Sequence, residues 1–254
     1  HQKVGDHGAE TAQRIAGLDA LRGLAALAVF VCHLAAYWWV LDLPERFVKF
    51  TQIGAHGVDV FIVLSGFVLM LPFTRADRTV DVRQFYGRRL WRILPAYWAA
   101  LAFAAVFAMT PLWTLTVGSQ ATFWDLVVHT FGLQTVFIPT IGTINGSLWS
   151  VSLEMTLYLI FPLLVVLLHR IGGAALVLSS AALCAVVGLS GMAIGGVFGG
   201  FPSDPHTLPM RIVQFTMGMV LATIISKLDL RRLQSSRRHR FLALAATLAA
   251  GFIA

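Results

Sequence analysis

Charge is what this sequence holds least of. Only 12% of its 254 residues are Asp, Glu, Lys or Arg and 57% are apolar, against about 25% and 45–50% in an ordinary soluble domain. So few charges cannot clothe a water-facing surface, which excludes a soluble globular fold and leaves a polytopic integral membrane protein. Cysteine is nearly absent: Cys32 and Cys184 each fall inside an apolar segment, so there is no disulfide framework and nothing to read about redox compartment. Both read as small buried hydrophobes. Metal-ligand spacings, a P-loop, a G-x-S-x-G turn and a dinucleotide-binding glycine fingerprint are missing, as are internal repeats, low-complexity tracts and a linker to a soluble domain.

The charge that is present is basic and clustered, with a formal net value of +7. Arg75, Arg78, Arg83, Arg88, Arg89 and Arg92 share one stretch between apolar runs, and Lys227, Arg231, Arg232, Arg237, Arg238 and Arg240 share another. Short basic loops between spans are the positive-inside pattern. The basic balance therefore points to the cytoplasmic face of a membrane and away from nucleic acid.

Apolar runs of about 17–25 residues place spans at 15–41, 57–73, 93–115, 148–168, 174–197 and 209–226, with a last run from Phe241 cut at Ala254. The first run is too long for a signal-peptide core and reads as a retained span. Residues 123–139, FWDLVVHTFGLQTVFIP, are apolar but short, and carry Asp125, His129 and Gln134. If they do not cross, both basic clusters, Arg170 and the N-terminus fall on one side; if they cross, the clusters are split. The positive-inside rule therefore makes this segment re-entrant or interfacial and the N-terminus cytoplasmic. The expectation is an all-α, polytopic transmembrane helix bundle of about seven spans plus that segment. Residues 1–14 form a cytoplasmic lead, 15–254 the transmembrane domain, and the cut final run marks a domain continuing beyond it.

Four stretches place polar groups where a bilayer disfavours them. In GLDALRGLAALAVFVCHLAAYWWV, residues 17–40, a helix brings Arg22 and His33 within about 20° of one face and about 16 Å apart along the axis, with Asp19 a turn from Arg22. Arg22 reads either as a snorkelling boundary residue or, with His33, as part of a polar stripe facing a bundle interior or water-filled cavity. In GAHGVDVFIVLSGFVLMLPF, residues 54–73, Asp59 reads as a helix-start charge and Ser65-Gly66 as a site of close helix approach. In FYGRRLWRILPAYW, residues 85–98, the aromatic belt of Tyr86, Trp91, Tyr97 and Trp98 fits an anchor, while Arg88, Arg89 and Arg92 form a guanidinium cluster able to hold phosphates. In NGSLWSVSLEMTLYLIFPLL, residues 145–164, Glu154 lies about two turns inside a span with Ser147, Ser150, Ser152 and Tyr158 as company. It reads as a helix–helix clamp or as a site residue.

These stretches, in this order, resemble the membrane-bound acyltransferase 3 family. The arginine–ten residues–histidine motif is matched by Arg22 and His33, the second-span signature by GVDVFIVLSGF, the basic motif by YGRRLWRILPAYW and the tryptophan–serine–glutamate motif by LWSVSLEMTLYLIFPLL. The resemblance implies a roughly ten-span domain in a cell inner or plasma membrane. It also implies transfer of an acyl group, acetyl above all, from acyl-CoA to a hydroxyl of a glycan, lipid-linked sugar or antibiotic. On that pattern His33 is the general base or transient acyl carrier, with Glu154 or Asp59 to orient its ring. Arg22, Arg88, Arg89 and Arg92 suit the phosphates of coenzyme A, and Asp19, Ser65, Ser147, Trp149, Ser150 and Tyr158 are supporting residues. No metal is implied, and the oligomeric state is left open. A proton-coupled transporter or flippase also places His, Glu and Arg inside spans and is the alternative. A non-catalytic scaffold leaves the polar stripe unexplained.

Overall fold

The computed structural model describes residues 18–36, 44–74, 79–108, 110, 121–194 and 204–227. Its helices are α1 (Leu18–Ala36), α2 (Glu45–Gln52), α3 (Gly57–Met70), α4 (Val82–Ala108), α5 (Phe123–Thr130), α6 (Trp149–Ile171), α7 (Gly173–Ile194) and α8 (Leu208–Lys227). There is no strand among the described residues. Among the described residues, five segments are long and apolar enough to cross a bilayer: Ile53–Phe73, Val82–Ala108, Gly146–Ile171, Gly173–Gly191 and Leu208–Lys227. The flanks of the expected first span, the basic residues 231–240 and the run 241–254 lie outside the described residues.

The chain divides into two compact units, residues 1–78 with 217–254 and residues 79–216. In the first, α1 packs on α3 and the turn before it. Small residues make this possible: a Cβ on Gly54 would run into the Ala28 carbonyl, and one on Gly57 would lie 2.7 Å from the Ala25 carbonyl oxygen. Gly218, on the later half of α8, likewise lies against the backbone of Val63 and Phe67. Without a hydrophobic force between helices in lipid, such close backbone approach supplies much of the packing.

In the second unit, α4 and α6 are antiparallel. Tyr86 meets Leu159 and Phe85 stacks on Phe161 near the start of α4, whereas Ile93 and Met155 both pack on the buried cluster of Tyr97, Leu101, Ala104, Ala108, Ile144 and Leu148. Helices α6 and α8 are parallel, with Trp149 against Arg211 and Phe161 against Phe215. Gly172, at φ 85°, turns α6 into α7.

Helix α4 starts at Val82, eleven residues before the expected span. Asp81 caps it, accepting from the Gln84 N–H at 3.0 Å, and arginine is a good helix former, so the basic stretch is helical too. Its interior Pro95 supplies no N–H to the Trp91 carbonyl. Tyr97, expected in an interfacial belt, is only 3% exposed because its hydroxyl has buried partners.

Those partners belong to α5 and the turn after it. Eight residues of helix rise about 12 Å, too little for a hydrocarbon core of about 30 Å. A capping box starts it: Thr122 Oγ1 accepts from the Asp125 N–H at 3.2 Å, and Asp125 Oδ2 accepts from the Thr122 N–H at 2.7 Å. A Schellman turn stops it, with Leu133 N–H to the Val128 carbonyl and Gly132 N–H to the His129 carbonyl, both 2.9 Å, and Gly132 at φ 65°. From α4, Tyr97 Oη donates to the His129 carbonyl at 2.5 Å and Trp98 Nε1 to the Thr130 carbonyl at 3.0 Å, satisfying last-turn acceptors that a helix cannot serve itself.

Candidate active site

The first unit carries the arginine–histidine helix. Arg22 is partly buried on α1 and His33 is exposed. His33 Nδ1 lies 2.8 Å from the Val29 carbonyl oxygen. A carbonyl only accepts, so Nδ1 carries a hydrogen, and in a neutral ring so held Nε2 is the nitrogen with the lone pair. Asp19 lies in α1, with its side chain outside the described residues. Asp59, 7% exposed in the first turn of α3, pairs with Nδ1 of His56 at 3.1 Å. Sequence reasoning assigned His56 no role, although it stands three residues before Asp59 in GAHGVD. Ser65 is buried on the same helix.

The second unit separates the three arginines. Arg88 and Arg92 share a face of α4 and are exposed, while Arg89 is partly buried, as its 100° offset on a helix requires. Its guanidinium lies over the rings of Phe85 and Tyr158, 5.8 and 5.5 Å from their centres. Tyr158 Oη donates to Glu154 Oε1 one turn back on α6. Arg89, Tyr158 and Glu154 are thus brought together. A cavity of about 300 Å³ opens beside them, lined by Tyr86, Arg89, Leu90 and Ile93 from α4 and Met155, Tyr158 and Leu159 from α6.

Ser152 is not company for Glu154. It is buried on the opposite side, donating to the Gly132 carbonyl at 2.5 Å and bonded to Thr135 Oγ1 at 2.9 Å. Ser147 and Ser150 bond locally, Ser150 Oγ to the Ser147 carbonyl at 3.2 Å and Ser147 N–H to Asn145 Oδ1 at 3.0 Å. Trp149 packs edge-on to His206, ring centres 4.5 Å apart, with the Arg211 guanidinium 5.9 Å from its ring. Asp204 Oδ1 accepts from both the N–H and Nδ1 of His206, at 2.8 and 2.7 Å. This Asp204–His206 pair was not singled out from the sequence, where only the spacing of SDPHT marks it.

A further pair lies on α5. His129 is fully buried and its Nδ1 donates to the Asp125 carbonyl at 2.8 Å; Nε2 has no hydrogen-bond partner. Burial pushes its pKa below the ordinary imidazole value, only partly offset by Asp125. For Asp125 burial acts upward, but hydrogen bonds from Thr122 and Thr143 and the proximity of His129 outweigh it and hold the carboxyl below its usual range. Among the described residues, no group of three or more His, Cys, Asp or Glu side chains is placed to hold a metal ion.

Known proteins give the geometry a context. Residues 15–254 match the family model of an acyltransferase domain, acyltransferase 3. The acyltransferase MdmB of Streptomyces mycarofaciens is 29% identical over 232 residues, covering 84% of this chain and 58% of the relative. A putative peptidoglycan O-acetyltransferase, YrhL of Bacillus subtilis, is 28% identical over 254 residues, 89% of this chain and 36% of the relative. The O-acetyltransferase OatA of Staphylococcus aureus is 29% identical over 164 residues, 61% and 25% of the two. The chain thus spans between a quarter and three-fifths of the length of these relatives. No solved structure gives a significant match.

Proposed function

The chain belongs to the acyltransferase 3 family, and on that premise we propose that it works as an integral membrane O-acyltransferase, moving an acyl group from acyl-CoA to a hydroxyl of a glycan or glycosylated small molecule. The observation that carries this reading is His33. Its Nδ1–H is held by the Val29 carbonyl and its ring is exposed, so Nε2 is the nitrogen left to act as general base when the ring is neutral. Nε2 takes the acceptor's proton as the hydroxyl oxygen attacks the thioester carbonyl. The new C–O bond forms, the C–S bond breaks, and the departing thiolate recovers the proton from the imidazolium.

Arg22 and the α4 arginines serve the donor's phosphates, as guanidinium forks suit phosphate oxygens. Arg89, fixed against Phe85 and Tyr158, is the ordered member; Arg88 and Arg92 contribute field. Asp59 pairs with His56, and Glu154 sets the position of Tyr158. The antiparallel pairing of α4 and α6 brings the arginines at the start of α4 and Arg170 near the end of α6 to one end of these helices, which supports a cytoplasmic face there and donor approach from inside. The name of one relative, the putative peptidoglycan O-acetyltransferase YrhL, favours a glycan acceptor reached from the opposite face.

The test is acetyl-CoA turnover by the purified full-length protein in nanodiscs, with cell-wall glycan as acceptor, beside its His33→Ala variant. A fall of about 10²–10⁴ in transfer supports the base. Undiminished transfer by the variant removes His33 from the mechanism, and ion-driven uptake without coenzyme A release returns the protein to the transporter class.

A further inference from the structure

The cationic part of α4 and the apolar part of α6 lie at one level. Tyr86 meets Leu159, Phe85 stacks on Phe161 and the Arg89 guanidinium covers the ring of Tyr158. Arg170, exposed at the end of α6, is twelve residues after Tyr158, about 18 Å along the axis. Because α4 runs the other way, Arg92 lies about 4–5 Å deeper still. Both distances pass the middle of a hydrocarbon core of about 30 Å, and a tilt of about 20° shortens them only by about a twentieth. An arginine stem cannot snorkel that far.

Two simple placements fail. If the end of α6 stood in water so that the arginines sat at the membrane face, Leu159, Leu163, Val166 and Ile171 would stand in water with it. So would Leu178, near the start of α7; all five are exposed, and baring them is unfavourable. If this level were apolar on every side, Arg88 and Arg92, both exposed, would be charges in hydrocarbon. Such residues face a bundle interior or a water-filled cavity instead. Leucines of α6 and guanidiniums of α4 share a level when lipid lies on one side and water on the other. The α4 helix allows this, since Arg88 and Arg92 are turned about 100° and 60° from Arg89 in the same sense.

We infer that the Arg88–Arg92 face of α4 lines a water-filled inlet that opens on the Arg170 side and reaches past the middle of the membrane. It admits water and small hydrophilic anions, drawn by guanidiniums one turn apart. Arg89, lying over Phe85 and Tyr158, marks the edge between this wet side and the apolar side that meets α6. The inlet stands whether or not coenzyme A is the donor.

The experiment is thiol labelling of the full-length protein in sealed vesicles, with Cys32→Ala and Cys184→Ala removing the natural thiols. Single cysteines are introduced as Arg88→Cys, Arg92→Cys, Arg170→Cys and Leu163→Cys. Sulfonatoethyl methanethiosulfonate, an anion that does not cross membranes, is applied to one side at a time. Arg88→Cys and Arg92→Cys should be labelled only from the side that labels Arg170→Cys. They should react at least about tenfold faster than Leu163→Cys, because a thiol in apolar surroundings keeps the proton it must lose to react. At Arg92→Cys the anion should outpace its trimethylammonium counterpart about fivefold, since Arg88, about 6 Å away, attracts one and repels the other. Gln84→Cys, one turn before Arg88, keeps every arginine and repeats the labelling should both arginine variants misfold. Labelling of Leu163→Cys as fast as the arginine positions puts the end of α6 in water and overturns the inlet. Silence at the α4 positions in folded protein, or labelling from the side opposite Arg170→Cys, overturns it as well.

Discussion

Two histidines, one in each unit, make the same bond and live in opposite surroundings. His33 on α1 and His129 on α5 each place Nδ1 at 2.8 Å from the carbonyl oxygen four residues earlier. The helix alone therefore sets the neutral tautomer in both cases, leaving Nε2 as the acceptor. Burial then decides what that nitrogen can do. His33 is exposed, which on the proposed mechanism leaves Nε2 open to the acceptor's proton. His129 is sealed at 0% exposure, with its own carbonyl bound by Tyr97, and serves to hold α5 in place. A tautomer suited to base catalysis is thus common currency on helices; access is what separates a reagent from a brace.

Substitution should pull the pair apart. His33→Ala should cost transfer activity by two to four orders of magnitude and leave the unfolding transition in detergent nearly where it was. His129→Ala should do the reverse, removing a fully packed ring at about 2–4 kcal/mol, measured by denaturant unfolding. A His129→Ala protein that keeps its stability and loses its chemistry would invert the comparison. Gly132→Ala tests the stop behind His129: a left-handed φ costs a side chain about 1–2 kcal/mol, and the added methyl must also displace the end of Met155. Thr122→Val removes the capping hydroxyl at the other end of α5, for about 1 kcal/mol.

The smallest effect is in pH. Because the folded His129 resists protonation, the unfolded chain takes up a proton first as pH drops below about 6.5. Stability should therefore fall through that window and fall again at more acid pH as the depressed Asp125 carboxyl is protonated. His129→Gln should flatten the upper part of the curve only; an unchanged curve would mean that His129 titrates alike in the folded and unfolded chains.

Hydropathy made the spans legible because a run of apolar residues has few uses other than a membrane. The second-span helix, α6, α7 and α8 all lie within a few residues of the expected runs. Charge obscured the start of α4, since arginines at a membrane face read as loop when counted by hydropathy, although they propagate a helix well. The short α5 was legible as an apolar segment below span length, but the signals at its two ends were not put to use: T-x-x-D and the glycine at 132 are both local signals. The resemblance brought His33, Glu154 and the arginines forward as a set. It could not say that Arg89 turns toward Tyr158 while Arg88 and Arg92 turn away, that Ser152 serves the α5 turn, or that Asp59 takes His56. Those outcomes depend on which neighbouring helix each face meets, and no spacing within one helix encodes that.

Helices α4 and α6 run antiparallel, with the eight-residue α5 between them in the chain. The capping box at Thr122 and Asp125 and the glycine at 132 set both ends of α5, so a local rule about where one short helix starts and stops limits how far the chain can travel between two long ones.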